Sequence, residues 1–116
     1  MNARQIHGEA SLAIQEAIVA QAQGKEDTAQ LFEKAFELEK QAALLLINDF
    51  DDEPFRSVLF RSAACLAKDC KKYREAEKLI AKGLIGEPPK RIMHQLRALS
   101  LEINKHLYVE AEAEVA

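Results

Sequence analysis

The sequence has little of what several classes of protein need. It contains no tryptophan, three prolines and four glycines in 116 residues. Its longest uninterrupted apolar run is Ala42–Ile47, far shorter than the ~20 residues that cross a bilayer. The N-terminal stretch lacks the continuous apolar run of a signal peptide. We therefore expect a soluble, cytoplasmic protein with no membrane association.

Motifs for catalysis and cofactor binding are also missing. The glycines stand singly, so there is no phosphate-binding loop. His7, His94 and His106 have no second His, Cys or Glu at the spacing of metal ligands. The acidic turn at residues 48–53 lacks the glycine and the ligand spacing of a calcium loop. The two cysteines are expected to be reduced structural thiols. We predict a non-enzymatic protein without a cofactor or bound metal.

The residues that are abundant favour helices. Ala, Leu, Glu, Lys and Gln dominate, and the chain is 48% hydrophobic and 30% charged. Apolar residues recur at spacings of three and four, and short connections make neighbouring helices antiparallel. The pattern predicts an all-α fold with five helices, at about Ala3–Gln23, Asp27–Asn48, Glu53–Lys68 (after Asp52), Lys72–Leu84 and Pro89–Leu107. Residues 1–109 form one domain, and the tail 110–116 either extends the last helix or frays.

Three residues predict where helices begin or end. Gly24 is placed to end the first helix. Asp27 is expected to cap the second through its side chain. Pro54 is expected in the first turn of the third helix, where its missing N–H is not needed.

Charge is distributed unevenly along the chain. Residues 1–56 carry five basic and eleven acidic side chains, whereas residues 57–109 carry eleven basic and five acidic ones. The tail adds three glutamates. Such asymmetry indicates either complementarity within the molecule or a polar binding face.

One stretch has the spacing of a known repeat. Ser57–Lys90 is 34 residues long and carries an aromatic residue, small residues one turn on, then an alanine, a large residue four later and a proline after the second helix. This pattern resembles the tetratricopeptide repeat, a 34-residue helix–turn–helix. The stretch 24–40 matches the family more loosely. The residues that carry the resemblance, and that would pack the repeat, are Phe60, Ala64, Ala67, Tyr73, Ala76, Ile80, Gly83 and Pro88.

The resemblance implies a fold and a function. Stacked repeats of this family form a right-handed α-α superhelix, although a chain this short could also form a compact bundle. Helices 1, 3 and 5 would line a concave groove that holds a peptide or helix of a protein partner. The groove residues would be Arg61, Cys65, Lys68, Gln95 and Leu99. Their basic character suits an acidic partner segment.

Two other functions stay open from the sequence. The basic half, residues 61–91, could contact nucleic acid in a small regulatory protein, but the pI of about 5.6 and the interleaved glutamates make this the less favoured alternative. The second alternative function is that of a structural homodimer. If Leu101 and Tyr108 on helix 5 are exposed, a second copy of the chain would bury them.

Overall fold

The computed structural model describes the chain from residue 1 to residue 115, with side chains to residue 114. It contains five α-helices and, within those residues, no strand, which confirms the predicted all-α fold. The helices are α1 (Ala3–Ala22), α2 (Thr28–Leu45), α3 (Phe55–Asp69), α4 (Tyr73–Ile85) and α5 (Lys90–Val115). Each differs from its predicted range by a few residues, except α5, which is eight residues longer at its C-terminal end.

The two ends of α1 follow directly from local sequence. Asn2 and Gln5 form a capping box, in which each side chain accepts a hydrogen bond from the backbone N–H of the other residue. At the other end, Gly24 has a φ of 65°, a left-handed conformation that glycine adopts without a Cβ penalty. Gly24 thus ends the first helix as predicted.

Two details at the starts of α2 and α3 differ from expectation. Asp27 precedes α2, but its side chain makes no capping hydrogen bond; instead the hydroxyl of Thr28 donates to the carbonyl of Lys25. Pro54 stands at the N-cap rather than inside the first turn of α3. The cap of α3 comes from Glu53, whose carboxylate accepts the N–H of Ser57.

The second helix ends earlier than its apolar pattern predicted. Beyond Leu45 the backbone tightens, since Leu46 and Ile47 bond to carbonyls three residues back rather than four. Leu46 is buried, at the helical spacing of the buried residues Ala42 and Ala43, whereas Leu45 is exposed. The carbonyls of Leu46 and Ile47 then meet the side chain of Arg56.

The helices pack as antiparallel neighbours in two layers. Tyr73 and Gly83 of α4 contact His106 and Leu96 of α5, respectively, so the two helices run in opposite directions. The Cα atoms span 44 × 35 × 22 Å, and the shortest dimension fits two layers of helices ~10 Å apart. One layer holds α1, α3 and α5, and the other holds α2 and α4.

Side-chain contacts also join helices that lie within the same layer. In the first layer His7 packs edge-on against Phe55, joining α1 to α3. In the second layer the carboxylate of Glu75 lies 2.7 Å from the ammonium of Lys40, joining α4 to α2. Lys72, the N-cap residue of α4, forms a second ion pair with Glu33 of α2.

Most of the residues that carry the resemblance to the repeat are buried in the helical core. Phe60, Ala64, Ala67, Ala76, Ile80 and Gly83 are buried, while Tyr73 and Pro88 are half-buried. Gly83 is the tightest point, because a Cβ built there lies 3.0 Å from the Cβ of Phe60 and 3.2 Å from a methyl of Leu96. Glycine therefore lets α4 approach both α3 and α5.

The last helix continues through most of the predicted tail. Residues 110–115 are helical, so the tail extends α5; residue 116 lies outside the described part of the chain. No helix in that part combines the length and apolarity needed to cross a bilayer.

Candidate partner-binding surface

The predicted groove residues lie on α3 and α5, and two of them, Arg61 and Gln95, are in contact. The guanidinium of Arg61 donates a hydrogen bond to the side-chain oxygen of Gln95. The ammonium of Lys68 lies 3.0 Å from the carboxylate of Glu102. We call the face formed by Arg61, Cys65, Lys68, Gln95 and Leu99 the α3–α5 surface.

The members of the α3–α5 surface differ in exposure. Arg61, Cys65, Lys68 and Gln95 are half-buried, so each presents part of its side chain to solvent. Leu99 is buried and belongs to the hydrophobic core. The accessible part of the surface is therefore polar, apart from the thiol of Cys65 between Arg61 and Lys68. Leu99 contributes to the core beneath the surface.

The surroundings of Lys68 and Cys65 shift the pKa of both side chains. The hydrogen bond to Glu102 raises the pKa of the Lys68 ammonium, which favours the charged form that lysine already has at neutral pH. Burial raises the pKa of the Cys65 thiol, which keeps it protonated and weakly nucleophilic. The surface thus offers a guanidinium and an ammonium as hydrogen-bond donors, and the thiol acts as a small apolar contact.

A buried carboxylate beside this surface was not predicted. Glu39 of α2 is fully buried. One of its oxygens lies 2.8 Å from Nδ1 of His7 on α1, and the other accepts a hydrogen bond of 2.7 Å from the hydroxyl of Ser62 on α3. Both oxygens are therefore satisfied, and the carboxylate joins three helices. A sequence signal did exist, since Glu39 stands at the spacing of the buried residues Ala35 and Ala42.

The three side chains do not stand in the order of a catalytic triad. In a catalytic triad the histidine lies between the hydroxyl and the carboxylate, so that it can take the hydroxyl proton. Here the carboxylate of Glu39 lies between His7 and Ser62. The Ser62 hydroxyl therefore contacts the carboxylate and not the imidazole, and the contacts join α1 and α3 to α2.

Arg56 is a second buried polar residue that sequence reasoning missed. It is fully buried, and its guanidinium donates to the carbonyls of Leu46, Ile47 and Lys82. Its guanidinium carbon lies 4.7 Å from the ring centroid of Phe50. Arg56 thereby satisfies carbonyls at the C-terminal ends of both α2 and α4.

A hollow of about 500 Å³ lies elsewhere, between α1 and α2. Leu12, Val19 and Leu31 give it apolar walls, and Glu16, Lys25 and Asp27 lie at its sides. It is separate from the α3–α5 surface. Across residues 1–114, no three His, Cys, Asp or Glu side chains form a set that could ligate a metal ion.

Comparisons of this chain with protein-family models, with curated proteins and with solved structures gave no match. Its function is therefore inferred from its own residues and their geometry.

Proposed function

We propose that this protein is a non-enzymatic scaffold, similar to tetratricopeptide-repeat proteins, that binds a peptide or helix of a protein partner on the α3–α5 surface. The observation that carries the proposal is the register between α3 and α5. Arg61 meets Gln95, and Lys68 meets Glu102, and each pair is separated by 34 residues. That separation equals the length of the repeat whose sequence pattern Ser57–Lys90 resembles.

The 34-residue register between α3 and α5 places equivalent positions of the two helices side by side. Helices that repeat every 34 residues lie side by side in parallel, so their equivalent positions form rows on one face. Such rows present side chains at regular intervals to an extended partner. The half-buried residues of α3 provide one row, and Gln95 and Glu102 provide the next.

The chemistry of the surface favours an acidic partner segment. The guanidinium of Arg61 can bind a carboxylate with two donors, and the ammonium of Lys68 adds a point charge. Glu102 is the more exposed member of its ion pair, so it can turn to solvent when a partner carboxylate replaces it. Gln95 offers both a donor and an acceptor to the partner backbone.

Nucleic-acid binding has less support. Lys68 and Lys72 lie within 3.0 Å of the carboxylates of Glu102 and Glu33, respectively. Arg74 adjoins Glu77 on its own helix. These pairings neutralise part of the basic half, residues 61–91, that would have to meet phosphates.

The cytoplasmic location stays a prediction from the sequence.

The proposal is tested by affinity capture from the native lysate with three versions of the tagged protein. These are the wild type, the double reversal Arg61→Glu with Lys68→Glu, and a control reversal Lys34→Glu with Lys78→Glu. The control residues are exposed on α2 and α4, so they change the charge equally but on the other layer. Circular dichroism and denaturation verify that each version is folded. The first reversal places new glutamates near Glu102, and their repulsion could unfold the protein. In that case the neutral double variant Arg61→Gln with Lys68→Gln is used in its place.

The expected result is a discrete protein captured by the wild type and by the control, but not by the α3–α5 variant. It should survive about 0.5 M salt, because screening affects a packed peptide less than phosphate contacts. Equal capture by all three versions would contradict the assigned surface. Nucleic acid that elutes with salt would replace the proposal with the regulatory alternative.

A further inference from the structure

The last helix extends beyond the helices that support it. Ile103 is the last fully buried residue of α5, and Leu107 is half-buried. His106 stacks on Tyr73 with ring centroids 4.3 Å apart. From Tyr108 to residue 114 every side chain is exposed. A helical segment with so little tertiary contact is marginal in water by itself.

The side of α5 that faces away from the core carries large apolar groups. Leu101 is 68% exposed and Tyr108 is 67% exposed. The two are seven residues apart, so they lie on one face of the helix. The residues at the same helical spacing are His94, Ala98, Leu101, Lys105, Tyr108 and Glu112, and all six are exposed. We call them the α5 outer stripe.

Charge along α5 changes sign from one end to the other. Lys90, Arg91 and Arg97 make the first third basic, whereas Glu110, Glu112 and Glu114 make the end acidic. Two such helices side by side in parallel would place like charges together. In an antiparallel pair each basic end would lie beside an acidic end.

We infer that the α5 outer stripe is a homodimer interface, in which the α5 helices of two copies pack antiparallel around a two-fold axis at Leu101. In that register the stripe is complementary to itself. His94 precedes Leu101 by seven residues and Tyr108 follows it by seven, so the two rings lie opposite each other across the interface. Arg91 precedes Leu101 by ten residues and Glu112 follows it by eleven, which brings opposite charges together at each end.

The centre of the interface also fits this register. Leu101 of each copy meets Leu101 of the other on the axis, and Ala98 faces the aliphatic part of the second copy's Lys105. The small Ala98 side chain lets the helices approach closely there. In an isologous interface every contact off the axis occurs twice, so the single Leu101 contact is accompanied by two Ala98–Lys105, two His94–Tyr108 and two Arg91–Glu112 pairs.

The hollow between α1 and α2 is less suited to hold a second copy's α5. Its sides carry the acidic residues Glu16 and Asp27 beside a single lysine, and the end of α5 is itself acidic. The inference does not depend on the proposed function. Gln95 and Glu102 contact α3, so the dimer leaves the α3–α5 surface open.

Sedimentation equilibrium of the full chain tests the interface. The wild type should associate to a dimer, and Leu101→Glu should raise the dimer dissociation constant by roughly 30-fold or more, as expected for a central buried contact. The matched control is Leu12→Glu, because Leu12 is 62% exposed on another helix. The control should dimerise like the wild type. A wild type that stays monomeric at about 0.5 mM, or a dimer that Leu101→Glu leaves intact, would overturn the inference.

Charge exchange tests the register separately. Arg91→Glu and Glu112→Arg should each weaken the dimer, and the double variant should recover most of the lost affinity because the pair is rebuilt in reverse. If the double variant were as weak as the sum of the single variants, the antiparallel register would be wrong. Circular dichroism on each variant separates loss of pairing from loss of helix.

Discussion

The guanidinium of Arg56, at the start of α3, donates a hydrogen bond of 2.8 Å to the backbone carbonyl of Lys82, near the end of α4. The same guanidinium binds the carbonyls of Leu46 and Ile47, which follow α2. A helix C-terminus carries a partial negative charge of roughly half an electron. The negative ends of two helices thus face one buried guanidinium, whose Nε and Nη2 are hydrogen-bonded, while its Nη1 has no hydrogen-bond partner among the described residues.

Removing this side chain should destabilise the fold strongly. Arg56→Leu leaves three carbonyls without their donor, and we expect it to lower the free energy of unfolding by about 2–5 kcal/mol. Urea denaturation of the purified variant measures the change. Arg97→Leu, on the exposed side of α5, is the control and should change stability by less than ~0.5 kcal/mol. Similar stabilities for the two variants would refute the role of Arg56.

Two glycine substitutions should have opposite effects. Gly83→Ala places a Cβ 3.0 Å from the Cβ of Phe60, and overpacking of this kind costs about 1–3 kcal/mol, more than the helix propensity gained. Gly8→Ala also lies inside a helix, but nothing lies within 4 Å of its Cβ. It should stabilise the protein by about 0.5–1 kcal/mol. Thermal unfolding measures both, and a stabilising Gly83→Ala would show that the contact is looser than described.

The buried Glu39 carboxylate should depend on its serine partner. Ser62→Ala removes the hydroxyl that donates to Glu39 and leaves a buried oxygen unpaired, which costs about 1–3 kcal/mol. Ser11→Ala, at a half-buried position of α1, serves as the control and should cost less than ~0.5 kcal/mol. Chemical denaturation compares them. Equal effects would mean that Glu39 does not rely on Ser62.

The ion pair between α2 and α4 should add a pH-dependent term to stability. Lys40 holds the pKa of Glu75 below its ordinary value, mainly through their hydrogen bond. The stabilisation is thus present above about pH 4.3, the pKa of an unfolded glutamate, and is lost as pH falls through the lower folded-state pKa.

Glu75→Gln measures this contribution. Because Glu75 is partly exposed, the wild type should exceed the variant by less than ~1 kcal/mol at pH 7, and the difference should vanish toward pH 3. About 1 M salt should shrink it as well. Denaturation curves from pH 3 to 7 provide the check, and a difference that grows on acidification would have the wrong sign for this pair.

Much of the fold could be predicted from the spacing of apolar residues. Phe60, Ala76 and Ile80 are buried, as their helical spacing indicates, because the periodicity of apolar residues shows which face of a helix meets its neighbours. The end of α2 was mispredicted, because Leu45 continues the apolar pattern while the backbone changes pitch there. Periodicity carries no information about that change.

The polar interior was harder to predict. Glu39 and Arg56 occupy positions at core spacing, but their partners are distant in sequence: Ser62 lies 23 residues from Glu39 and Lys82 lies 26 residues from Arg56. Only packing brings those groups together. A charged residue within an apolar stripe is nevertheless a usable signal, since it must be satisfied if the stripe is buried.

The two native cysteines allow the most direct test of the partner-binding surface. Cys65 lies within the α3–α5 surface, whereas Cys70 follows α3 and faces a depression it shares with Phe32 and Glu33 of α2. Both are half-buried, and burial raises the pKa of both thiols, so each acts as a control for the other. The measurement is the alkylation rate of each cysteine, by mass spectrometry, with and without the captured partner. We predict that the partner slows the alkylation of Cys65 severalfold and leaves the alkylation rate of Cys70 unchanged. Protection of Cys70 alone, or of neither cysteine, would contradict the proposed binding surface.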